Sequence, residues 1–166
     1  MYKKDFGNIP NKDKVRSMLD EAFKVNPGDW IIHSHIIGKT CEKIAKEIGM
    51  DPEIAYAVGA LHDIGKGYGY VDLAHMMEGY RILRFESYFY PARIALGHGF
   101  VTDDFDSYHG KANVSERDED FIKAYLKKRK LDRYEKLVIL LDNLIKDEYL
   151  GLDEREALRN IPRTPI

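Results

Sequence analysis

The stretch Ala57–Tyr70, AVGALHDIGKGYGY, decides how this chain is read. Its first half is small and apolar, the composition of a buried helix, and it ends in the adjacent polar pair His62 and Asp63. His62 shares a helical face with Ala55, Val58 and Gly59, small residues that let another helix come close. Asp63 falls at a helix C-terminus, where the macrodipole disfavours a carboxylate, so the position calls for a compensating partner. Gly65, Gly67 and Gly69 then read as a helix stop that releases the chain into a loop.

Working outward, the flanking sequence is punctuated as helices. DPEIAYAVGALHD places Asp51 at an N-cap and Pro52 at the first helical position. DWIIHSHIIGKTCEKIAKEIG reads as a long helix with Asp29 as N-cap and Gly49 as its stop. NKDKVRSMLDEAF starts a helix after Pro10, DLAHMMEGYRILRFES follows from Asp72, and Pro91 opens the short segment PARIALGHG. Ser115 to Asp118, Asp132 to Glu135 and Asp153 to Glu156 have capping-box spacing ahead of apolar-periodic runs. No stretch alternates with a two-residue period between hairpin turns. The expected fold is all-α, a helical bundle of about seven or eight helices. It is expected to form one domain over residues 1–166, with a core over about 30–147, an N-terminal helix and a short C-terminal helical extension. One segment, GHGFVTDDFDSYHGKANV from Gly97 to Val114, is polar and aperiodic. A loop of that length inside a domain is usually functional or mobile.

Composition narrows the classes. A net charge of −2 over 166 residues gives no basic surface for a nucleic-acid polymer or a membrane. The single cysteine, Cys41, excludes an internal disulfide framework and fits a reducing compartment. MYKKDFGNIPNKDK has no apolar core of signal-peptide length, and no run approaches the roughly 18 apolar residues of a bilayer span. The expectation is a soluble cytoplasmic protein, a monomer or a small oligomer such as a homodimer.

Helical rotation assigns directions to the polar residues. In the second helix Ile37, Thr40, Ile44 and Ile48 lie within about 60° of His33, which places His33 on the buried stripe. His35 is about 200° away, with Lys39, Glu42 and Lys46, and is expected to point outward. Asp142, in EKLVILLDNLIKDEY, is flanked on its face by Val138, Leu141 and Ile145. A carboxylate so placed is costly unless paired or bound to a cation; a salt bridge and a metal ligand both satisfy it. His33, His62, Asp63 and Asp142 therefore face inward from three helices. Two imidazoles and two carboxylates suit a divalent cation such as iron, manganese, zinc or magnesium, and helical bundles build metal sites from such inward groups.

The ordered set of His33 in WIIHSHIIGKTCEKIA, the intact LHDIGK of Leu61 to Lys66, and Asp142 in an apolar helix resembles the HD-domain superfamily of metal-dependent phosphohydrolases. The resemblance spans roughly Trp30 to Asp147. It implies an HD-type helical bundle in which His33, His62, Asp63 and Asp142 bind a divalent metal. Some branches add two histidines and a second ion, with the dyad aspartate bridging both. His75 in AHMMEGYRIL and His98 in IALGHGF are the candidates here; the competing reading of each is a surface or loop histidine. His109 matches no motif position.

With one or two ions of iron, manganese, magnesium, cobalt or zinc, such a site activates water for attack on a phosphoryl group. By resemblance, Asp63 is also a candidate acceptor of the water's proton. Lys66 is placed to meet a phosphate oxygen as a point charge, against the competing reading of a solvated lysine suited to the helix dipole. In the long loop, Tyr108 and Lys111 are candidates to stack on a base and touch a phosphate. Arg81, Arg84 and Arg93 are further cations near these elements, of which helix periodicity turns Arg81 and Arg84 away from His75. The expected activity is hydrolysis of a small phosphorylated metabolite, a nucleotide first. A di-iron oxygenase and a non-catalytic regulatory module are the alternatives, and the acidic motif of alarmone hydrolases is missing after the dyad.

Overall fold

A computed structural model describes residues 1–145. It consists of a two-stranded antiparallel ladder, β1 (Tyr2–Lys3) with β2 (Gly7–Asn8), and seven α-helices among the described residues. These are α1 (Lys12–Val25), α2 (Trp30–Glu47), α3 (Pro52–Leu61), α4 (Asp72–Phe85), α5 (Phe89–Gly97), α6 (Glu116–Lys128) and α7 (Arg133–Leu144). The all-α expectation holds. The ladder went unseen because two-residue strands carry no period. The expected C-terminal extension and the Asp153–Glu156 cap lie outside the described residues.

Every residue of α3 from Ile54 onward is buried, which makes this helix the axis of the bundle. Its start is as the sequence implied: the Asp51 carboxylate accepts from the Glu53 and Ile54 amides, and Pro52 follows. The small residues do bring helices together. A Cβ on Gly59 would lie 2.8 Å from Cys41 Sγ and 3.1 Å from the Ile37 carbonyl oxygen, so α2 packs against α3 almost backbone to backbone. The main core gathers α1, α2, α3, α5 and α7 around residues such as Leu19, Ile37, Leu61, Ile94 and Val138. A second cluster of Leu73, Met76, Leu96, Phe100, Ile122 and Leu126 joins α4, α5 and α6.

Three local expectations change. Asp29 does not cap α2: its backbone is already helical (φ −69°, ψ −14°), and only an extended N-cap lets the side chain turn back onto the first amides. The buried stripe of α2 runs through Ser34, Ile37, Gly38, Cys41 and Ala45, so His33 lies at its margin and Ile48 is 49% exposed. α5 begins at Phe89, two residues before Pro91. Proline is tolerated there because first-turn amides have no intrahelical acceptor.

The aperiodic segment after α5 is fastened to the body. Phe100, Phe105 and Tyr108 pack into the second cluster, with a short 3-10 turn at Phe105–Ser107. Its far end caps α4: the Asn113 side-chain Oδ1 accepts from the Ala74 amide, and the Lys111 backbone carbonyl accepts from the Leu73 amide.

Candidate metal centre

The dyad stands where α3 ends and a 3-10 segment, Ile64–Tyr68, begins. His62 and Asp63 are fully buried. The glycines after them do not open a loop. A Cβ on Gly65 would sit 2.0 Å from the His75 carbonyl oxygen, so Gly65 is the residue that lets this segment lie on α4. Only Gly69 has positive φ (86°) and ends the segment.

Two donor groups meet at Asp63. His33, His62, Asp63 and Asp142 present ligand atoms within 4.8 Å of one another, and so do Asp63, His75 and His98. In the first group, His33 Nε2 is 2.9 Å from Asp142 Oδ1, and His62 Nε2 is 3.4 Å from the same oxygen. His62 Nε2 is also 3.5 Å from Asp63 Oδ2. In the second, His75 Nε2 and His98 Nε2 lie 3.0 Å and 3.4 Å from Asp63 Oδ1. Each oxygen of Asp63 thus faces its own set. α2, α3, α4, α5 and α7 each supply at least one group or its helix end.

Tautomers show why these groups suit a cation. His62 Nδ1–H donates to the Gly59 carbonyl (2.6 Å), and His98 Nδ1–H donates to the Ala95 carbonyl (2.8 Å). A carbonyl only accepts, so in the neutral ring each Nε2 is left with its lone pair. Those lone pairs point at carboxylate oxygens. His62 Nε2 and Asp63 Oδ1 are buried with no hydrogen-bond partner among the described residues. Lone pairs facing anions repel, and a divalent ion between them converts the repulsion into ligation. The donor set fits nitrogen- and oxygen-binding divalent metals.

Both carboxylates of the centre are held ionised. Burial alone raises the Asp63 carboxyl, but the His62 ring, contacts from His75 and His98, and the Lys66 charge outweigh it and hold it well below the ordinary range. Asp142 behaves alike: burial opposes ionisation, and the hydrogen bond with His33 and the nearby His62 ring lower it. Burial lowers His75, whereas at His98 contact with Asp63 and the Asp142 charge overcome burial and raise it. Lys66 Nζ lies 2.6 Å from Asp63 Oδ2.

A cleft of about 460 Å³ opens over the first group, lined by Asp29, Trp30, His33, Asp63, Lys66, Asp142 and Ile145. Solvent reaches it from the His33–Asp142 side, where the side chains are 16% and 25% exposed. His75 and His98 are enclosed. The sequence matches the HD-domain family model over residues 30–147. The chain is a member of the HD-domain family. No curated protein and no solved structure matches it.

Other residues named from the sequence lie elsewhere in this HD domain. Tyr108 packs on Phe100, ring centroids 5.5 Å apart, outside the cleft lining. Burial, then the Asp72 and Asp63 charges, pushes its hydroxyl up to about 12. Lys111 is exposed and outside the lining, and His109 is exposed in the same segment. Arg81 pairs with Glu78 and Asp118, Arg84 lies over Tyr80 and Phe89, and Arg93 pairs with Asp132. None of the three lines the cleft. His35 is half-buried rather than outward; burial and Lys39 lower it, and it stays out of both donor groups. Trp30 and Ile145, given no site role from the sequence, also line the cleft. The signal was there: each is three residues from an inward polar group, His33 and Asp142, on the same helical face.

Proposed function

We propose that this HD domain is a metal-dependent phosphohydrolase acting on a small phosphorylated substrate of the nucleotide class. His33, His62, Asp63 and Asp142 would hold one divalent ion, and Asp63, His75 and His98 a second, with Asp63 shared. Ions held there supply hydroxide near neutral pH and offset phosphoryl charge. The chain's own groups do the rest. Asp63 stays ionised, is shared between both sets, and is the candidate acceptor of the water's proton. The Gly59 and Ala95 carbonyls fix the two imidazoles so that Nε2 faces inward. Lys66, partly exposed beside Asp63, supplies the positive charge that draws a phosphate into the cleft. The reading gives Tyr108 and Lys111 no place at the cleft.

The observation that carries this reading is the pair of imidazole lone pairs aimed at the two oxygens of one buried carboxylate. Its test is phosphate release from a panel of nucleotides and phosphorylated metabolites. The protein is loaded separately with iron, manganese, cobalt, magnesium or zinc, beside His62→Ala and Asp63→Ala. Release that depends on an added metal and is lost in both variants is expected. Release untouched by both variants overturns the reading, and oxygen consumption without phosphate release replaces it with the oxygenase alternative.

A further inference from the structure

Trp30 is the only tryptophan of the chain and forms one wall of the cleft. It is clamped along one edge. Its Nε1–H donates to the Asn26 carbonyl (2.9 Å), and Asn26 in turn donates from Nδ2 to the Lys66 carbonyl (2.7 Å). A Cβ on Gly28 would lie 3.1 Å from Trp30 Cδ1, and one on Gly67 would lie 2.8 Å from both Cζ2 and Cη2. Backbone therefore abuts the indole from Cδ1 round to Cη2. This edge is the one whose N–H must be satisfied when buried. With that edge fixed, the ring is held rigidly in the cleft wall.

The same contacts tie the ring to the phosphate end of the cleft. Gly67 and the Lys66 carbonyl belong to the 3-10 segment that carries the Lys66 ammonium. Indole and ammonium are thus fixed relative to one another by a single strut of backbone. At the rim, the exposed Asp29 carboxylate, which makes no helix cap, suits hydroxyl and amino donors. Ile145 adds apolar surface. The cleft volume of about 460 Å³ falls in the small-molecule range of roughly 300–1,000 Å³.

We propose that Trp30 is the specificity-determining residue of this site, a preset stacking wall that selects a phosphorylated substrate whose other end is a planar ring, over sugar phosphates that lack one. This rests on the phosphohydrolase reading only for the identity of the phosphate pocket. Base–aromatic stacking contributes enough to change affinity about fivefold to a hundredfold, so the preference is measurable.

Fluorescence of the single tryptophan gives a direct test, excited at 295 nm where nucleotides absorb little. In the metal-loaded protein, adenosine 5′-monophosphate is expected to quench Trp30 saturably, and ribose 5-phosphate is not. In turnover, the ratio of kcat/KM for adenosine 5′-monophosphate over ribose 5-phosphate is expected to fall about tenfold in Trp30→Ala, mostly through KM, and to recover in Trp30→Phe. Equal quenching by both ligands, no quenching by either, or an unchanged ratio in Trp30→Ala overturns the proposal. Saturable, base-dependent quenching without phosphate release from any substrate supports the stacking wall while overturning hydrolysis. Phosphate release with no base preference does the reverse.

Discussion

Gly65 and His75 are in backbone contact: a methyl group on Gly65 would sit 2.0 Å from the His75 carbonyl oxygen and 2.9 Å from the Gly79 amide nitrogen. The glycine of the HDIG run therefore serves α4. It lets the segment that follows the dyad lie flat against the helix carrying His75, which brings His75 Nε2 to 3.0 Å from Asp63 Oδ1. Gly65→Ala forces α4 outward, because backbone atoms cannot step aside as a side-chain tip can. The expected cost is about 1–3 kcal/mol in denaturant unfolding. On the proposed two-ion reading, metal analysis should show bound ion falling toward one per chain, with the His33–Asp142 group still loaded. Full occupancy of both groups in a well-folded variant would remove this role.

Lys66 occupies an oxygen that the proposed first ion would need. Its ammonium sits 2.6 Å from Asp63 Oδ2, on the side facing the His33–Asp142 group. Lys66→Met is expected to bind the first ion more tightly, since the buried carboxylate loses its built-in cation. The KM for a phosphorylated substrate should rise about tenfold, the scale of one hydrogen bond to a charged group. Metal titration and steady-state kinetics read the two effects separately. A variant with weaker metal binding and unchanged KM would assign Lys66 to stability alone.

The quartet His33, His62, Asp63 and Asp142 was legible because each residue is polar within an apolar helical context, which calls for a partner, and one cation would serve all four. His75 and His98 were legible only through the resemblance; nothing in AHMM or LGHG announces burial. Trp30 was passed over because an aromatic next to a buried stripe reads as core. Arg129 and Glu135 were opaque for another reason. KKRKLDRYE looks like solvated charge, and Glu135 sits at a capping-box position, yet both side chains are buried. Their burial depends on carbonyls of the aperiodic segment after α5, and no local pattern encodes which carbonyls a loop will turn inward.

Cys41 gives a test of the α2–α3 contact. Burial pushes its thiol up to about 12, and the residue has no exposed surface. A thiol reagent at pH 8 is expected to leave the native chain unlabelled and to react on unfolding, since thiolate and access are both lacking. Gly59→Ala places a methyl 2.8 Å from Cys41 Sγ. That variant should be less stable by about 1–3 kcal/mol and should label measurably faster under native conditions. Prompt labelling of the unmodified native protein would contradict so close a packing of the two helices.

Arg129 anchors the segment that begins at His98. Its guanidinium donates to the carbonyls of Gly97 (3.0 Å), Phe100 (3.1 Å) and Thr102 (2.8 Å), and Nε donates to Asp103 (2.7 Å). The buried Glu135 carboxylate lies 3.5 Å from Nη1. Removing one member of such a set strands the others, so Arg129→Met is expected to cost about 3–5 kcal/mol. Arg129→Met combined with Glu135→Leu should recover part of that loss, a coupling that a double-mutant cycle isolates. The pH dependence has a definite sign. Burial raises the Glu135 carboxyl, partly offset by Arg93 and Arg129. The folded chain then holds this proton more tightly than the unfolded chain, so stability declines as pH rises from the unfolded value of about 4.5 through the raised native one. Without Arg129 the native value climbs further and the decline extends to higher pH. Denaturant midpoints from pH 4 to 8 are expected to show the variant falling further behind the parent as pH rises, and a constant gap would mean that Arg129 does not influence the Glu135 proton.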